Sequence, residues 1–111
     1  MNNISVSNLI NEKGNATKNQ FIIKNNDTKT VIFQSYNSMV CEIRPASMGF
    51  EKVVVLGKDW DYSRTTTKHL GNFLKQNNLE YLAGAKNIRE ALERGHSRHN
   101  EAVAVWLDET L

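Results

Sequence analysis

Apolar residues in the first half of the chain follow the patterns of β-strands. Residues 21–24 and 30–34 are rich in β-branched and aromatic side chains, which fit a pleated, half-buried surface. The segment between them, Asn-Asn-Asp-Thr at 25–28, favours a turn because short polar side chains tolerate positive φ and hydrogen-bond to nearby backbone. These two runs predict a β-hairpin.

Two more strands are predicted downstream. Between residues 38 and 44, Met39, Cys41 and Ile43 occupy alternate positions, and a period of two is typical of a strand with one buried face. Residues 51–56 end in the apolar, mostly β-branched run at 53–56, which is too short for a helix and fits a buried strand. Since short connections join these runs, an antiparallel meander is the simplest arrangement.

The hydrophobic period changes after Trp60. Asp61 or Ser63 can cap a helix, because their side chains accept hydrogen bonds from the free amides of a first turn. An apolar stripe with helical spacing follows, made of Thr66, Leu70, Phe73 and Leu74. The pattern predicts a helix over residues 63–76.

A short helix is also predicted at the N-terminus. Within residues 5–13, the apolar side chains of Val6, Leu9 and Ile10 recur at helical spacing. Ser5 suits the start of this helix and Gly14 suits its end. A helix of this length is stable only if it docks on the rest of the protein.

The last third of the chain contains two further signals. Residues 87–94 predict a second short helix, with Asn87 as its cap and Gly95 at its end. The alternation in residues 102–107 favours a final strand over another helical turn.

Together the elements predict an α+β fold in which helices cover one face of an antiparallel sheet of three to five strands. The covering helices are those at 63–76 and 87–94. We expect residues 1–18 to form a short helix or flexible segment and residues 19–111 to form a single domain. No repeat, low-complexity tract or linker divides the 111 residues, and a chain of that length can bury one core.

Composition and charge narrow the class of function. A net charge of +2 is less positive than is usual for dedicated nucleic-acid binders, which draw much of their affinity from phosphate neutralisation. The single cysteine, Cys41, excludes an internal disulfide, and the apolar runs are too short to cross a bilayer. The N-terminus lacks the pattern of a signal peptide. We therefore expect a cytoplasmic protein with no membrane partner.

The middle of the chain resembles an uncharacterised family of small proteins encoded by phages and mobile elements of low-GC Gram-positive bacteria. The resemblance covers residues 30–74 and rests on the strings FQSYNS at 33–38, WDYSRTTTKH at 60–69 and FL at 73–74. The connection at residues 45–50 is longer than the family pattern. Because the family has no assigned function, the resemblance implies a genomic context and not a chemical activity. Small proteins of that context commonly bind a host or phage target, and inhibitors of bacterial defence such as anti-CRISPR proteins are frequent among them.

Few residue combinations suggest a metal site or a nucleophile. His96 and His99, with His69 or Cys41, could supply metal ligands, but closed zinc sites normally use two pairs of Cys or His. Two exposed loop histidines are the simpler interpretation. Cys41 lies on the strand face predicted to be buried, where a thiol packs as a small apolar group and is not activated.

A carboxylate pair is also a weak candidate for a catalytic or metal site. Asp59 and Asp61 flank Trp60, but Asp61 is better suited to capping the helix that follows. The sequence also lacks the glycine-rich and metal-binding motifs of common enzyme classes. We therefore expect a non-enzymatic protein without a cofactor.

Residues near the start of the 63–76 helix are the best candidates for binding. Aromatic rings can stack on a ligand, cations can neutralise phosphate, and the amides of a helix N-terminus can bind an anion. The candidates are Tyr36, Trp60, Tyr62, Arg64, Lys68 and His69. In the alternative interpretation, Trp60 and Tyr62 are core anchors at the strand-to-helix corner, and the cations form a solvated face.

A second basic strip follows in the 87–94 helix and just beyond it. Arg89, Arg94 and Arg98 could contact a partner, although Glu90 and Glu93 dilute their charge. Opposite charges three or four residues apart are first of all helix-stabilising pairs.

The sequence therefore predicts a protein that binds a macromolecule. The leading hypothesis is a phage or mobile-element protein that docks on a host or phage protein, for example in a nucleoprotein defence complex. The alternative is a small nucleic-acid-binding module that uses the Arg64 and Lys68 helix face. A homodimer formed through an exposed sheet edge is compatible with both hypotheses.

Overall fold

The computed structural model describes residues 3–45, 49–99 and 102–111. Within these residues the strands are β1 (Ile4–Ile10), β2 (Ala16–Asn25), β3 (Thr30–Ser35), β4 (Ser38–Pro45), β5 (Lys52–Gly57) and β6 (Val103–Asp108). The helices are α1 (Arg64–Gln76), a short 3-10 turn (Glu80–Leu82) and α2 (Ala85–Arg94). The strands form one sheet whose spatial order is the same as their order in the sequence.

The predicted hairpin and meander are confirmed. β2 and β3 pair antiparallel from Gln20 opposite Ser35 to Asn25 opposite Thr30. β4 and β5 extend the same antiparallel arrangement. The meander places the end of β5 beside the β3–β4 turn, at the corner where the chain enters α1.

A β-bulge interrupts the predicted alternation in β4. Phe33 is paired with Cys41 while the next residue, Gln34, is paired with Met39, so Val40 is an extra residue on its strand. Val40 and Cys41 are consequently both buried, and Met39 is only half-buried. The expectation that Met39 shares the buried face with Cys41 is therefore wrong, because a strict period of two does not continue through a bulge.

The N-terminal segment is a strand, and the helix predicted for residues 5–13 is wrong. β1 pairs antiparallel with β2 from Ile4 opposite Asn25 onward. Leu9 is fully buried, whereas Val6 is 63% exposed and Ile10 is 42% exposed. The apolar residues at helical spacing therefore do not share one face. Pairing with β2 gives this segment backbone hydrogen bonds that a short isolated helix could not stabilise on its own.

Among the described residues the sheet is mixed and has six strands, which corrects the prediction of three to five antiparallel strands. β6 is the predicted final strand, but it lies parallel to β5, with Val54 opposite Val105. A parallel pair requires a crossover connection, and the two helices supply it. β1 and β6 are the sheet edges, and dimerisation through either of them remains a prediction.

The helix predicted over residues 63–76 is confirmed as α1. Ser63 is its N-cap, and the Ser63 hydroxyl accepts a hydrogen bond from the Thr66 amide at 3.1 Å. Leu70, Phe73 and Leu74 are buried against the sheet. The rings of Phe73 and Phe33 stack with their centroids 5.6 Å apart and so join the helix to the sheet.

Helix α2 is also as predicted, except for its start. Gly84 occupies the N-cap position, and the Asn87 side chain donates to the Ala83 carbonyl from within the first turn. Gly95 ends the helix with a φ of 80°, a left-handed conformation that glycine adopts without steric cost. Neither helix of the described residues is long and apolar enough to cross a membrane.

The main core lies between the helices and one face of the sheet. Its largest fully buried side chains include Leu9, Phe33, Leu56, Leu70, Phe73 and Leu74. A smaller cluster of Val53, Val55 and Ala104 occupies the opposite face, where Phe50 and Leu111 pack against it.

Candidate functional site

A cleft of about 460 Å³ opens between the sheet and the start of α1. We call it the tyrosine cleft, because Tyr36 and Tyr62 lie on its two walls. The sheet wall consists of Lys18, Gln20, Ser35, Tyr36, Ser38 and Val40. The helix wall consists of Asp59, Tyr62, Ser63, Thr65, Thr66 and His69. Its size is within the range of roughly 300–1,000 Å³ that is typical of small-ligand sites.

The two tyrosines are the most exposed aromatic side chains of the cleft. Tyr36 is 63% exposed in the two-residue turn between β3 and β4. Tyr62 is 82% exposed in the segment between β5 and α1. Two exposed tyrosine rings that line one cleft form an aromatic surface that can receive a partner.

The backbone holds Tyr36 in place on the sheet wall. Its amide donates a hydrogen bond to the Asn19 carbonyl at 2.8 Å, and its carbonyl accepts one from the Gln34 side chain at 2.6 Å. Tyr36 has a φ of 53° and Asn19 a φ of 62°. Left-handed backbone is uncommon for residues other than glycine, so the backbone conformation of Tyr36 carries an energetic cost.

The helix wall can approach the sheet because β5 ends in glycine. A Cβ atom at Gly57 would lie 2.3 Å from the Met39 carbonyl oxygen, which no side chain can tolerate. The backbone of β5 therefore passes close to the Met39 backbone of β4, just before the residues that form the helix wall of the cleft.

Contacts of Arg89 with Trp60 and Asp61 connect the segment between β5 and α1 to helix α2. Trp60 is 5% exposed and belongs to the core. The Arg89 guanidinium lies over the Trp60 ring at 5.5 Å and forms an ion pair with Asp61 at 3.3 Å. Trp60 is thus a core anchor, as the alternative interpretation has it, whereas the exposure of Tyr62 is incompatible with that role. Asp61 does not cap α1, because Ser63 does.

Two polar side chains of the cleft have unpaired atoms. Gln20 is 4% exposed, and its Oε1 has no hydrogen-bond partner in the part of the chain that the structure describes. The Nδ1 atom of His69 is likewise buried and unpaired among the described residues. Buried polar atoms are normally hydrogen-bonded, because leaving one unpaired costs about 1–3 kcal/mol. Both side chains line the cleft, and these two atoms lie beneath its surface without a partner among the described residues.

The environment of His69 favours the neutral imidazole. Burial lowers the pKa of His69, and the positive charge of Lys68 lowers it further. A neutral imidazole offers one N–H donor and one acceptor nitrogen. At neutral pH, His69 can therefore both donate and accept a hydrogen bond in the cleft.

The first turn of α1 presents a positive helix end to the cleft. Ser63, Thr65 and Thr66 line the helix wall, and the first turn contains no acidic residue. Free amides and the helix dipole attract negative charge at such an end.

Other predicted binding residues lie outside the cleft. Arg64 and Lys68 line a separate shallow groove on α1, together with Lys75, Glu12 and Glu80. Arg94 and Arg98 line a small cavity of about 90 Å³ near the end of α2. The structure therefore brings together Tyr36, Tyr62 and His69, and it places Arg64 and Lys68 in a neighbouring groove. Arg94 and Arg98 of the second strip lie apart from them, whereas Arg89 contacts Trp60 and Asp61, next to Tyr62 in the chain.

The residues considered for a metal site do not form one. Cys41 is fully buried in the core, and burial raises the pKa of its thiol well above the usual range, with the charge of Glu42 adding to the effect. The His99 ring contacts Tyr81 at a centroid distance of 5.9 Å. Within residues 3–45, 49–99 and 102–111, no group of three or more His, Cys, Asp or Glu residues could hold a metal ion.

The sequence model of a family described as a family of unknown function, DUF8033, matches residues 4–90. The chain belongs to DUF8033. The segment that matches contains every residue of the tyrosine cleft, whereas Arg94 and Arg98 lie beyond it. No curated protein and no solved structure matches this DUF8033 chain.

Sequence reasoning missed several residues of the cleft in this DUF8033 chain. Gln20 and Lys18 lie in β2, which the sequence pattern begins only at residue 21. Residues 17–20 are all polar, so no alternation in the sequence marks this part of the strand. Ser35, Ser38 and Val40 also line the cleft, and the bulge at Val40 is not evident from the sequence pattern.

Proposed function

We propose that this DUF8033 protein is a non-enzymatic binding protein that docks on a host macromolecule through the tyrosine cleft. The observation that carries the proposal is the exposure of Tyr36 and Tyr62, 63% and 82%, on facing walls of one cleft. Tyrosine is enriched among the residues that dominate binding energy at interfaces, because its large rigid ring loses little conformational entropy.

The biological setting comes from sequence resemblance. The strings at 33–38 and 60–69 resemble small proteins of phages and mobile elements, and both strings contribute residues to the cleft. In that setting the protein acts in the cytoplasm of a bacterial host as an inhibitor of a defence system, of the anti-CRISPR type. An inhibitor of this kind works by occupying a surface, and binding through the cleft requires no catalytic group.

Affinity capture from cells of a low-GC Gram-positive host tests the docking proposal. The test variant is Tyr36→Asn combined with Tyr62→Ala, in which asparagine tolerates the left-handed backbone of Tyr36. The control is Trp106→Ala, which removes a 40% exposed aromatic ring from β6, away from the cleft. We expect the wild type and the control to capture the same partner and the tyrosine variant to lose it. Retention of the partner by the tyrosine variant would overturn the proposal.

Nucleic-acid binding through α1 is the second candidate function. Arg64 and Lys68 are exposed, and neither has an ion-pair partner among the described residues. With Lys75 they form a basic line along one side of α1. Unpaired cations on a helix are suited to phosphate contacts, although Glu12 and Glu80 border the same groove.

Salt dependence separates the two functions. Binding through phosphate contacts weakens steeply as salt is raised, because counterions are released on association. A single-stranded oligonucleotide should then bind the wild type at low salt and bind Arg64→Ala/Lys68→Ala less tightly, with a shallower salt dependence. Equal binding by both proteins would exclude the α1 face as a nucleic-acid site.

A further inference from the structure

Two side chains that line the tyrosine cleft have buried polar atoms without a partner among the described residues. Gln20 is 4% exposed, and its Oε1 is unpaired in the region that the structure covers. Its neighbour in the lining, His69, has an unpaired Nδ1 atom. The edge of a nucleobase carries N–H donors beside ring nitrogen acceptors, and glutamine side chains pair readily with such an edge.

The mouth of the cleft is suited to a planar ring. Tyr36 and Tyr62 are both exposed and both line the cleft. Stacking of a base on an aromatic side chain stabilises binding whatever the base, since every base has a π face.

The first turn of α1 supplies a place for a negative charge. Thr65 and Thr66 line the cleft beside the helix N-terminus, and no acidic residue in that turn opposes an anion. Lys18 lines the opposite wall, and Asp59 is the one acidic residue among the described residues of the lining. A phosphate bound at this helix end would be within the same cleft as the base-binding atoms.

We propose that the tyrosine cleft binds a nucleotide unit, with the base against the tyrosine rings and its polar edge on Gln20, and the phosphate at the first turn of α1. The inference rests on the proposed function, because it assigns a ligand class to the same cleft. The unit comes either from a free nucleotide or from a base of single-stranded nucleic acid, and both present the same chemistry.

Calorimetric titration with AMP, adenosine, inorganic phosphate and a short oligoadenylate distinguishes these sources. Wild-type protein should bind AMP more tightly than adenosine or phosphate alone. Binding of the oligoadenylate much more tightly than AMP assigns the cleft to nucleic acid, and equal binding assigns it to the free nucleotide. If wild-type protein binds neither AMP nor the oligoadenylate, the proposal is overturned.

Two matched leucine variants locate the binding site. Gln20→Leu removes the side-chain amide of the cleft that has an unpaired oxygen. Asn72→Leu is the control: its side-chain amide is 5% exposed and has an unpaired Nδ2, but Asn72 lines the groove of Arg64 and Lys68 and not the cleft. Replacing an unpaired buried polar group with an apolar one of similar shape is nearly neutral for stability, so both variants should fold. We expect Gln20→Leu to weaken AMP binding about tenfold and Asn72→Leu to leave it unchanged. Equal affinity of all three proteins would contradict the assignment.

The two proposals fail in different ways. A protein that captures a host partner through its tyrosines, but binds neither AMP nor the oligoadenylate, refutes the nucleotide inference and leaves docking intact. A protein that binds AMP through Gln20, but captures no tyrosine-dependent partner, refutes docking and supports the nucleotide inference.

Discussion

The amide of Tyr36 donates a hydrogen bond to the carbonyl of Asn19 at 2.8 Å, and both residues have left-handed backbone. This contact joins the β3–β4 turn to β2 at the rim of the tyrosine cleft. It fixes the backbone from which the exposed Tyr36 ring projects. Residues in sparsely populated backbone conformations cluster at binding and active sites, which agrees with a binding role for this turn.

Substitution of Tyr36 should reveal this strain. We expect Tyr36→Asn to leave the free energy of unfolding unchanged or slightly higher, because asparagine tolerates positive φ. Tyr36→Val should lower it by about 1–3 kcal/mol, since a β-branched residue is strained in that region. Urea denaturation measures both, and equal stability of the two variants would show that the turn is not strained.

Two glycine substitutions should have opposite effects. Gly57→Ala places a Cβ atom against the Met39 carbonyl and should destabilise the protein by about 1–3 kcal/mol. Gly71→Ala is the matched control: it lies in α1, where the nearest atom to an added Cβ is 3.8 Å away. It should stabilise the protein by up to about 1 kcal/mol, because alanine favours helix over glycine. Thermal unfolding tests both, and a neutral Gly57→Ala would contradict the close contact.

The N-cap of α1 can be separated from anion binding. Ser63→Ala removes the hydrogen bond to the Thr66 amide and should cost about 1 kcal/mol of stability. Ser63→Asp keeps a cap and adds a favourable charge to the helix dipole, so stability should be preserved. The same carboxylate should repel a phosphate and weaken AMP binding. Unchanged AMP affinity in Ser63→Asp would argue against a phosphate at this helix end.

Stability should depend on pH through His69. Burial lowers the pKa of His69 in the folded protein below the value of about 6.5 expected for the unfolded chain. As pH falls below about 6.5, the unfolded state therefore gains protons first, and stability decreases until the folded state is protonated as well. His69→Gln should flatten this part of the stability curve.

The titration itself can be observed directly. NMR of the His69 imidazole should show a lower midpoint in the native protein than in the urea-unfolded chain. A midpoint that is equal or higher in the native protein would contradict the pKa shift.

Cys41 should resist chemical modification while the protein is folded. Its side chain is fully buried, and burial raises the pKa of the thiol, so very little thiolate exists at neutral pH. We expect iodoacetamide to label Cys41 only as fast as the protein unfolds, which mass spectrometry can follow. Rapid labelling of native protein would refute this placement.

The local pattern of the sequence predicts much of the fold. β-Branched runs and turn residues identify the β2–β5 meander, and the stripe ending at Phe73 and Leu74 identifies α1. The helix ends at Asn77 and Gly95 agree with the residues that commonly stop helices. These features are determined by residues that are close together in the sequence, so the sequence pattern alone predicts them.

The remaining features depend on contacts between distant segments. Residues 4–10 form a strand because β2 is available as a partner, and the parallel pairing of β6 depends on the crossover through both helices. The cleft is a further example. The sequence pattern predicts Tyr36 and Tyr62 as binding residues, but Gln20 lies near them only in the folded sheet. Trp60, which the pattern also suggests, is buried in the core.

Hydroxyl-radical footprinting of the protein, free and in the complex captured from host cells, tests the central claim most directly. Oxidation of an exposed ring falls when a partner covers it. If the tyrosine cleft is the docking site, Tyr36 and Tyr62 should be protected in the complex, while the exposed Trp106 on β6 should remain as reactive as in the free protein. Undiminished oxidation of both tyrosines in the complex would contradict the account.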